Sequence, residues 1–595
     1  MIRTPLRPLA RVLSAREKGE NPDHIERENI RLRVEATRAR AQNRAEGRLL
    51  LLGLAFFAAF ILVGARMGLL AASVPQEPRS AASGAEISGR RADITDRNGR
   101  ILATNFSTFS LYAQPKQMVD PAHVAKGLVD IFPDMNVDDL QRRFTDGRSF
   151  MWLRKKLSPE QMQAVHDIGD PGLLFGPRDM RLYPNGKLAA HILGGASFGA
   201  EGVHSAEVIG VAGVERAMDA RLRDPAQAAT PLALSIDLTV QSTMAEVLDA
   251  GMTMMNAKGA AGVLMDVHTG EVIAMVSLPD FDPNDRPQPL LSGDPGDSPL
   301  FNRALQGVYE LGSTFKIFAA AQAIELGLVN ADTLVDANAP MRWGKHKIGE
   351  FEGKNYGPLL SVTDIIVKSS NVGTANLALK IGGMRQQAFL KSLGLFDATP
   401  LELIEAPGAI PLIPKRWPDI VTITASYGHG MSASPMHLAA AYAAIANDGV
   451  MLPPTLLKRD KIPQGTRVLS ANTAAIAASM LRQVVTRGTA SMGEVEGYDV
   501  GGKTGTADKV KRGGGYDKGK NINTFAAMFP ASDPQYVLVV TLDEASENTG
   551  PKPRRTAGWT AVPVAAEVIR RTAPLLGLRP QIEYTPLNTV SAARQ

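Results

Sequence analysis

The amino-acid sequence predicts one membrane-spanning helix followed by a large region of mixed helix and strand. Residues 49–65 are apolar and free of charge, and such a run is close to the length that crosses a bilayer. Residues 262–276 are predicted to form two strands joined by a His-Thr-Gly turn, and 524–542 contains two further strand-like runs. The breaker-free run after Gly312 has the composition of a helix, so helices and strands are both expected beyond the span.

The size and charge of the chain exclude some classes of protein. Its 595 residues provide for three or four domains with full-sized cores. The net charge of +5 is matched by the first 48 residues alone, which carry 12 basic and 7 acidic groups, so the remainder is balanced and nothing indicates nucleic-acid binding. Cysteine is absent, which excludes disulfides and thiol chemistry but does not indicate a compartment.

The apolar stretch is predicted to be an uncleaved anchor at 49–72. The basic region before it is far longer than the first part of a signal peptide, and Arg66 can extend its charge to the membrane interface. Arg38, Arg40, Arg44 and Arg48 precede the span, so the positive-inside rule places the N-terminus in the cytoplasm. Residues 24–48 alternate in charge sign, which indicates a solvated helix or disorder, with partner binding as an open alternative.

A possible nucleophile lies in the stretch Gly312-Ser313-Thr314-Phe315-Lys316. Gly312 can supply an unusual backbone angle before a helix, and residues three apart on a helix share a face, so the Lys316 amine is expected beside the Ser313 hydroxyl. A neighbouring amine activates a serine if burial or a second cation suppresses its charge. The motif alone is weak, because a helix-capping serine followed by a solvated lysine gives the same pattern.

Two further motifs strengthen the catalytic interpretation. Ser369-Ser370-Asn371 follows the helical run 362–368, and Lys503-Thr504-Gly505-Thr506 follows a turn that enters a strand. S-x-x-K, S-x-N and K-T-G in this order are typical of class A β-lactamases and penicillin-binding proteins. The sequence therefore resembles the penicillin-binding proteins. Residues 509–521, rich in glycine and lysine, are predicted to form a mobile loop between two strands.

Other stretches are similar to the class B branch of that family. The run from Arg90 to Ala103 contains Asp96-Arg97-Asn98-Gly99, a hairpin signal that in the family helps to lock a pedestal domain to the catalytic domain. Residues 181–184 and 213–215 continue the resemblance, and Tyr427-Gly428-His429-Gly430 is similar to the division-type members. Leu311 stands where the family usually has proline; since a proline only stiffens that turn, no loss of chemistry is expected.

The resemblance covers residues 90–575 and implies an α+β sandwich. A penicillin-binding transpeptidase fold is expected, with a five-stranded antiparallel sheet between helices, a β-rich pedestal before it and one transmembrane helix. The predicted divisions are a cytoplasmic tail (1–48), the anchor (49–72), the pedestal (73–228), the transpeptidase domain (229–577) and a disordered C-terminal tail (578–595).

The resemblance also implies the chemistry. Ser313 would attack the penultimate D-alanine of a peptidoglycan stem peptide, Lys316 would take the serine proton, and Ser369 would relay it to the departing amine. Asn371 would hold the substrate amide, and Lys503 would contribute positive potential. An amine of a second stem peptide would then attack the acyl-enzyme and form a cross-link.

The K-T-G strand would bind the substrate's terminal carboxylate. Thr504 and Thr506 would donate hydrogen bonds to that carboxylate, with Gly505 between them. Backbone N–H groups of Ser313 and Thr506 would form the oxyanion hole, which is worth about 10²–10³ in rate for each donor. The chemistry calls for no metal and no cofactor.

The implied function is septal cross-linking at the cytoplasmic (inner) membrane. The expected partners are stem peptides on lipid-linked precursor strands, β-lactams, a membrane-embedded glycan polymerase and other division proteins. An elongation-type enzyme and a penicillin-sensing receptor stay open as alternatives. A class A β-lactamase is disfavoured because the four glutamates between the S-x-N and K-T-G motifs do not begin an E-x-x-x-N pattern; they are Glu402, Glu405, Glu494 and Glu496. A non-enzymatic scaffold is disfavoured because every motif side chain is intact.

Overall fold

The computed structural model describes residues 7–72, 91–201, 206–511 and 515–581. The chain forms two compact units, one of residues 1–81, 111–154 and 159–174, the other of residues 82–110, 155–158 and 175–595. The predicted connector at 75–88 and most of the predicted C-terminal tail lie outside the described residues.

The first unit is built on helices. Its N-terminal part is helical through almost all of its described length, and 46–67 is long and apolar enough to cross a membrane, with no residue buried within the protein. Residues 24–48 belong to the same helix as the predicted anchor, so of the two conformations proposed for them the helix is observed. The helices of this unit are α1 (Arg7–Glu17), α2 (Pro22–Ala72), α3 (Pro121–Ile131), α4 (Val137–Thr145) and α5 (Pro159–Asp167).

The predicted pedestal mixes strands with short helices. The hairpin signal at Asn98-Gly99 is confirmed, because β1 (Ile94–Thr95) pairs antiparallel with β2 (Ile101–Ala113) across that turn, while β1 pairs in parallel with β7 (Leu232–Ala233). The further elements are β3 (Met151–Leu157), β4 (Leu173–Leu182), α6 (Ala190–Leu193), β5 (Gly195–Glu201), β6 (Ala206–Ala212), α7 (Gly213–Ala217) and α8 (Asp219–Leu222).

A buried ionic cluster, here called the pedestal cluster, joins four residues of this region. Arg91 contacts Glu215 at 2.9 Å and Asp219 at 2.6 Å, and Arg181 contacts the second oxygen of Glu215 at 2.6 Å. Both guanidinium groups are almost fully buried, and each has a carboxylate partner. The cluster therefore buries its charges as matched pairs.

The Asp96-Arg97-Asn98-Gly99 turn contacts the C-terminal domain, as the family resemblance implied. Arg100 forms an ion pair with Asp237 at 2.9 Å, and the Arg97 guanidinium lies 3.3 Å from Glu271. Asp237 also caps the helix that opens this domain, since its side chain accepts hydrogen bonds from two backbone N–H groups. The turn is thus joined to the first helix of the C-terminal domain.

The C-terminal domain contains the five-stranded antiparallel sheet that was predicted. The strand order is β16-β17-β18-β8-β9, with β16 at one edge. These strands are β16 (Gly501–Val510), β17 (Tyr516–Phe529), β18 (Tyr536–Asp543), β8 (Gly259–Asp266) and β9 (Val272–Leu278). Almost every residue of β8, β9 and β18 is buried, so both faces of the sheet are covered. The strands are contacted by the helices α9 (Leu238–Met254), α15 (Pro435–Ala446) and α17 (Ala561–Thr572). This arrangement confirms the α+β sandwich.

The domain contains further helices and short strands. They are α10 (Lys316–Glu325), β10 (Leu334–Asp336), β11 (Met341–Trp343), β12 (His346–Ile348), β13 (Leu359–Ser361), α11 (Val362–Lys368), α12 (Asn371–Ile381), α13 (Gly383–Ser392), α14 (Asp419–Ser426), β14 (Val450–Met451), β15 (Thr466–Arg467) and α16 (Ala471–Arg487).

The prediction of a loop at 509–521 was wrong. Strand β16 continues to Val510 and β17 already begins at Tyr516, with Lys509 opposite Asp517 and Val510 opposite Tyr516. Glycine and lysine have low strand propensity, but pairing with a neighbouring strand outweighs that local preference here. Residues 509–510 and 516–521 therefore extend the two paired strands at the edge of the sheet, and residues 512–514 lie outside the described residues.

Candidate active site

The candidate nucleophile lies on a tight turn that packs against the edge strand. Gly312 has φ +55°, which confirms the predicted unusual backbone angle, and Gly312–Phe315 form a 3-10 turn that leads into α10. A Cβ on Gly312 would come within 3.0 Å of the Thr506 carbonyl oxygen, and one on Gly505 would overlap the Leu311 carbonyl oxygen. Glycine at both positions therefore lets the turn approach β16 closely.

Lys316 is fully buried and is held by the S-x-N segment. Its Nζ donates hydrogen bonds to Asn371 Oδ1 at 2.7 Å, to Ser369 Oγ at 3.1 Å and to the Ser369 carbonyl. Within the described part of the chain the hydroxyl of Ser313, which is partly exposed, makes no hydrogen bond. The predicted approach of Lys316 to that hydroxyl therefore stays a prediction.

The hydroxyl of Ser369 also accepts a hydrogen bond from a second lysine. Lys503 Nζ donates to Ser369 Oγ at 3.0 Å, so the S-x-x-K lysine and the K-T-G lysine meet at one hydroxyl. Ser369 has φ +61° where α11 ends, and its N–H bonds back to the Ile365 and Ile366 carbonyls. This left-handed backbone turns the chain between α11 and α12 and brings the hydroxyl to both ammonium groups.

Burial changes the proton affinity of both lysines. Desolvation lowers the pKa of Lys316 to about 7, although the negative charge of Glu350 opposes the shift. Burial also lowers the pKa of Lys503 well below its ordinary value, and the charge of Lys316 adds to that effect. A substantial fraction of Lys316 is therefore neutral near neutral pH and able to accept a proton.

The K-T-G strand forms one wall of the site. Thr504 Oγ1 lies 2.8 Å from Thr489 Oγ1, while Thr506 Oγ1 accepts the Ala557 N–H at 2.9 Å and donates to Asn523 Oδ1 at 3.3 Å. Gly505 lies between the two threonines, against the nucleophile turn. The structure thus places all eight predicted site residues around one region, where the edge strand, the nucleophile turn and the S-x-N segment meet.

Sequence reasoning missed Glu350. This side chain is 7% exposed, and its Oε1 accepts hydrogen bonds from Ser370 Oγ at 2.6 Å and from the Val372 N–H at 3.2 Å. Its Oε2 accepts the Asn371 N–H at 2.7 Å. Glu350 belongs to none of the three motifs, and only the fold brings it to the S-x-N segment. No pattern of spacing in the sequence could have identified it.

Sequence reasoning also missed a contact between the hairpin and the nucleophile turn. The hydroxyl of Tyr516 lies 3.1 and 3.2 Å from the two carboxylate oxygens of Glu310. Glu310 also accepts the Gly430 N–H at 2.9 Å, and Gly312 donates its N–H to the Gly428 carbonyl at 3.3 Å. The hairpin and the 427–430 segment are thus both fastened to the turn that carries Ser313.

The fold and the site together define a serine acyl-transfer enzyme of the penicillin-recognising class. Comparison with family models identifies a "Penicillin-binding Protein dimerisation domain" at 86–227 and a "Penicillin binding protein transpeptidase domain" at 260–569. The chain belongs to the penicillin-binding proteins that carry these two domains in this order, and it is a peptidoglycan D,D-transpeptidase.

Named relatives agree with this assignment. The chain is 35% identical over 516 residues to the "Probable peptidoglycan D,D-transpeptidase FtsI" of Caulobacter vibrioides, which covers 84% of each chain. It is 31% identical to the "Peptidoglycan D,D-transpeptidase FtsI" of Escherichia coli K12, covering 77% of this chain and 80% of that one. The fold matches a crystal structure of penicillin-binding protein 3 from Mycobacterium tuberculosis in complex with aztreonam, with a TM-score of 0.63 and 24% identity over 83% of this chain and 98% of the other.

Proposed function

We propose that this transpeptidase cross-links stem peptides at the division septum. The observation that carries the proposal is the similarity to proteins named FtsI over about four-fifths of the chain, together with the division-type pattern Tyr427–Gly430. An elongation-type role is the second candidate, because the sequence similarity is not confined to proteins named FtsI and extends to relatives named PenA and stage V sporulation protein D. A functional fluorescent fusion tests the choice, since a midcell band supports septal work and lateral patches would overturn it.

The first half-reaction is proposed to form an acyl-enzyme on Ser313. Its hydroxyl attacks the carbonyl of the penultimate D-alanine and loses its proton to neutral Lys316. Ser369 then delivers a proton to the leaving amine, so that terminal D-alanine departs. Support comes from the hydrogen bond of Lys316 to Ser369 and from the lowered pKa of Lys316. The backbone N–H groups of Ser313 and Thr506 are proposed to stabilise the oxyanion.

Substrate recognition is assigned to the walls of the site. Asn371 is proposed to hold the substrate amide, and Thr504 and Thr506, on either side of Gly505, to hold the terminal carboxylate. Lys503 adds positive potential at that end of the site. In the second half-reaction an amine from a neighbouring stem peptide attacks the ester, forms the cross-linking amide and returns the proton to Ser313.

Covalent labelling tests the assignment of the nucleophile. A fluorescent penicillin is expected to label the wild type on the peptide that contains Ser313, and Ser313→Ala is expected to lose the label completely while it stays folded. A matched control is Ser392→Ala, whose hydroxyl donates to the Phe389 carbonyl of α13, and which is expected to keep the label. Labelling of a folded Ser313→Ala protein would show that another residue is the nucleophile.

The domain limits and the topology are part of the proposal. We place a cytoplasmic tail at 1–48, the anchor at 49–72, the pedestal at 73–228, the transpeptidase domain at 229–577 and a tail at 578–595. The basic residues before the apolar helix support a cytoplasmic N-terminus and an extracytoplasmic catalytic domain. Cysteine accessibility tests this, since a cysteine introduced at Ser14 should react only after the membrane is permeabilised.

The anchor is also proposed to bind a membrane-embedded glycan polymerase of the FtsW type. Its small residues, among them Gly53 and Gly64, allow close approach of a second helix within lipid. Replacing 49–72 by an unrelated span of equal length should leave penicillin labelling intact but reduce co-purification with the polymerase and function at midcell. Full complementation by the exchanged protein would show that the segment is only an anchor.

A further inference from the structure

Glu350 is fixed in the cleft by a small hydrophobic cluster. It lies two residues after the end of β12. The last residue of that strand, Ile348, packs with Val372 and Ala375 of α12 and with Ile423. The backbone carbonyl of Gly349 accepts the Asn371 side-chain N–H at 2.9 Å. The segment 349–350 is therefore attached to the start of α12 by packing as well as by hydrogen bonds, and the carboxylate has little freedom to move.

The contacts of Glu350 lead directly to the candidate base. Glu350 accepts the backbone N–H of Asn371, and Asn371 Oδ1 in turn accepts a hydrogen bond from Lys316 at 2.7 Å. We propose that Glu350 is a positioning residue of the acylation machinery, which holds Asn371 against Lys316 and supplies negative charge to Lys316. The inference deepens the proposed function and rests on the role of Lys316 as the base.

The charges around Lys316 make the effect of Glu350 measurable. Lys503 faces the same hydroxyl from β16. His429 lies in the 427–430 segment, where burial lowers its pKa and the charge of Lys316 adds to that effect. Burial lowers the pKa of Lys316, and Glu350 raises it again. The charge of Glu350 therefore keeps the pKa of Lys316 from falling further, and a further fall would make Lys316 a weaker base.

Substitutions that separate charge from shape test this role. Glu350→Gln keeps the size of the side chain but removes the charge and one acceptor, whereas Glu350→Asp keeps the charge and shortens the reach. Glu352→Gln is the matched control, because Glu352 lies in the same turn and is exposed. The rate constant for acylation by a fluorescent penicillin is measured on the full chain in detergent across about pH 5 to 9.

We expect Glu350→Gln to slow acylation at its plateau by about tenfold, since it loses one charge-assisted hydrogen bond. The acid limb of its pH profile is expected to move to lower pH, because protonated Lys316 has lost an attracting anion. Glu350→Asp should be slower with its acid limb unmoved, and Glu352→Gln should match the wild type in both respects. Thermal unfolding of each variant shows whether it is folded.

Three results would overturn the inference. One is a Glu350→Gln profile that superimposes on that of Glu352→Gln. Another is a slower Glu350→Gln enzyme with an unmoved acid limb, since a purely structural helix cap would behave in that way. The third is an acid limb that moves in Glu350→Asp. Failure of the proposed function is recognised separately, because wild-type label would then map away from Ser313 or persist at full rate in Lys316→Ala.

Discussion

The pedestal cluster and the catalytic cleft both bury two cations, but they compensate the charges differently. In the pedestal, Arg91 and Arg181 share Glu215, and Arg91 also contacts Asp219. In the cleft, Lys316 and Lys503 meet at the neutral hydroxyl of Ser369, and both are fully buried. The pedestal cluster is matched in charge, whereas the ammonium groups of the cleft bind neutral oxygens.

The choice of cation explains why each arrangement is stable. A guanidinium keeps its proton under all ordinary conditions, so a buried arginine needs a carboxylate partner. An ammonium can lose its proton, and an incompletely compensated site then favours the neutral amine. The same physical cost of burial therefore gives matched ion pairs in one region and amines with a lowered pKa in the other.

The largest effect is expected when Lys316 of the cleft is replaced by arginine, the cation of the pedestal cluster. Lys316→Arg should slow acylation by about 10²–10⁴-fold, as expected when general-base assistance is lost, because arginine stays protonated. Lys316→Ala is the comparison, and the arginine variant should do no better. The measurement is the rate of labelling by a fluorescent penicillin. An arginine variant as fast as the wild type would show that Lys316 acts as a charge and that another group is the base.

The second largest effect is expected when the pedestal cluster loses a negative charge, so that its cations are incompletely compensated like those of the cleft. Glu215→Gln leaves two buried guanidinium groups with less negative charge, and breaking a buried pair costs about 3–5 kcal/mol. The thermal unfolding midpoint should fall by several degrees, while the amount of fluorescent penicillin bound per folded molecule stays unchanged. Asp219→Asn, whose carboxylate is more exposed, should cost less. Equal losses for the two variants would contradict the matched-pair interpretation.

Four of the residues that the sequence motifs predicted do lie together in the structure. Lys316, Ser369, Asn371 and Lys503 come from three separate motifs, and their side chains contact one another in the structure. The family pattern indicates that they meet because each motif belongs to a distinct element of one fold. The hairpin extension could not be predicted, because glycine and lysine suggest a loop until the partner strand is known. The place of Glu350 in the site could not be predicted either, since it depends on contacts made only after folding.

A third prediction concerns the wild type and its pH dependence. Acylation should rise with pH through about 7 as Lys316 loses its proton, and level off above that value. The same group affects stability. Between the folded pKa of about 7 and the ordinary value of 10.5, the unfolded chain binds more protons than the folded one, so stability should rise with pH across this window. Lys316→Met should weaken both trends, and a profile that stays flat through neutral pH would contradict the lowered pKa.

The smallest effect is expected at a contact near the cleft that involves no cation. Tyr516→Phe removes the hydroxyl that lies next to both oxygens of Glu310, and a hydrogen bond to a charged group contributes about 1.5–3 kcal/mol. Part of that loss should appear as faster proteolysis of the hairpin, with penicillin labelling reduced only a few fold. Tyr427→Phe is the control. The rings of Tyr427 and Tyr516 both contact the ring of His429, but among the described residues only Tyr516 bonds to Glu310 through its hydroxyl. A hairpin with unchanged protease resistance would show that the contact does not restrain it.

The glycines around the nucleophile turn have a consequence for drug resistance. A Cβ on Gly428 would overlap the Gly312 carbonyl oxygen, and one on Gly505 would overlap that of Leu311. Three distant segments of the chain thus meet as bare backbone, so a mutation at any of these points would displace Ser313 and impair cross-linking together with drug binding. Under selection by β-lactams, tolerated changes should therefore accumulate in the side chains that surround this backbone contact, where they can slow the drug while the turn keeps its shape.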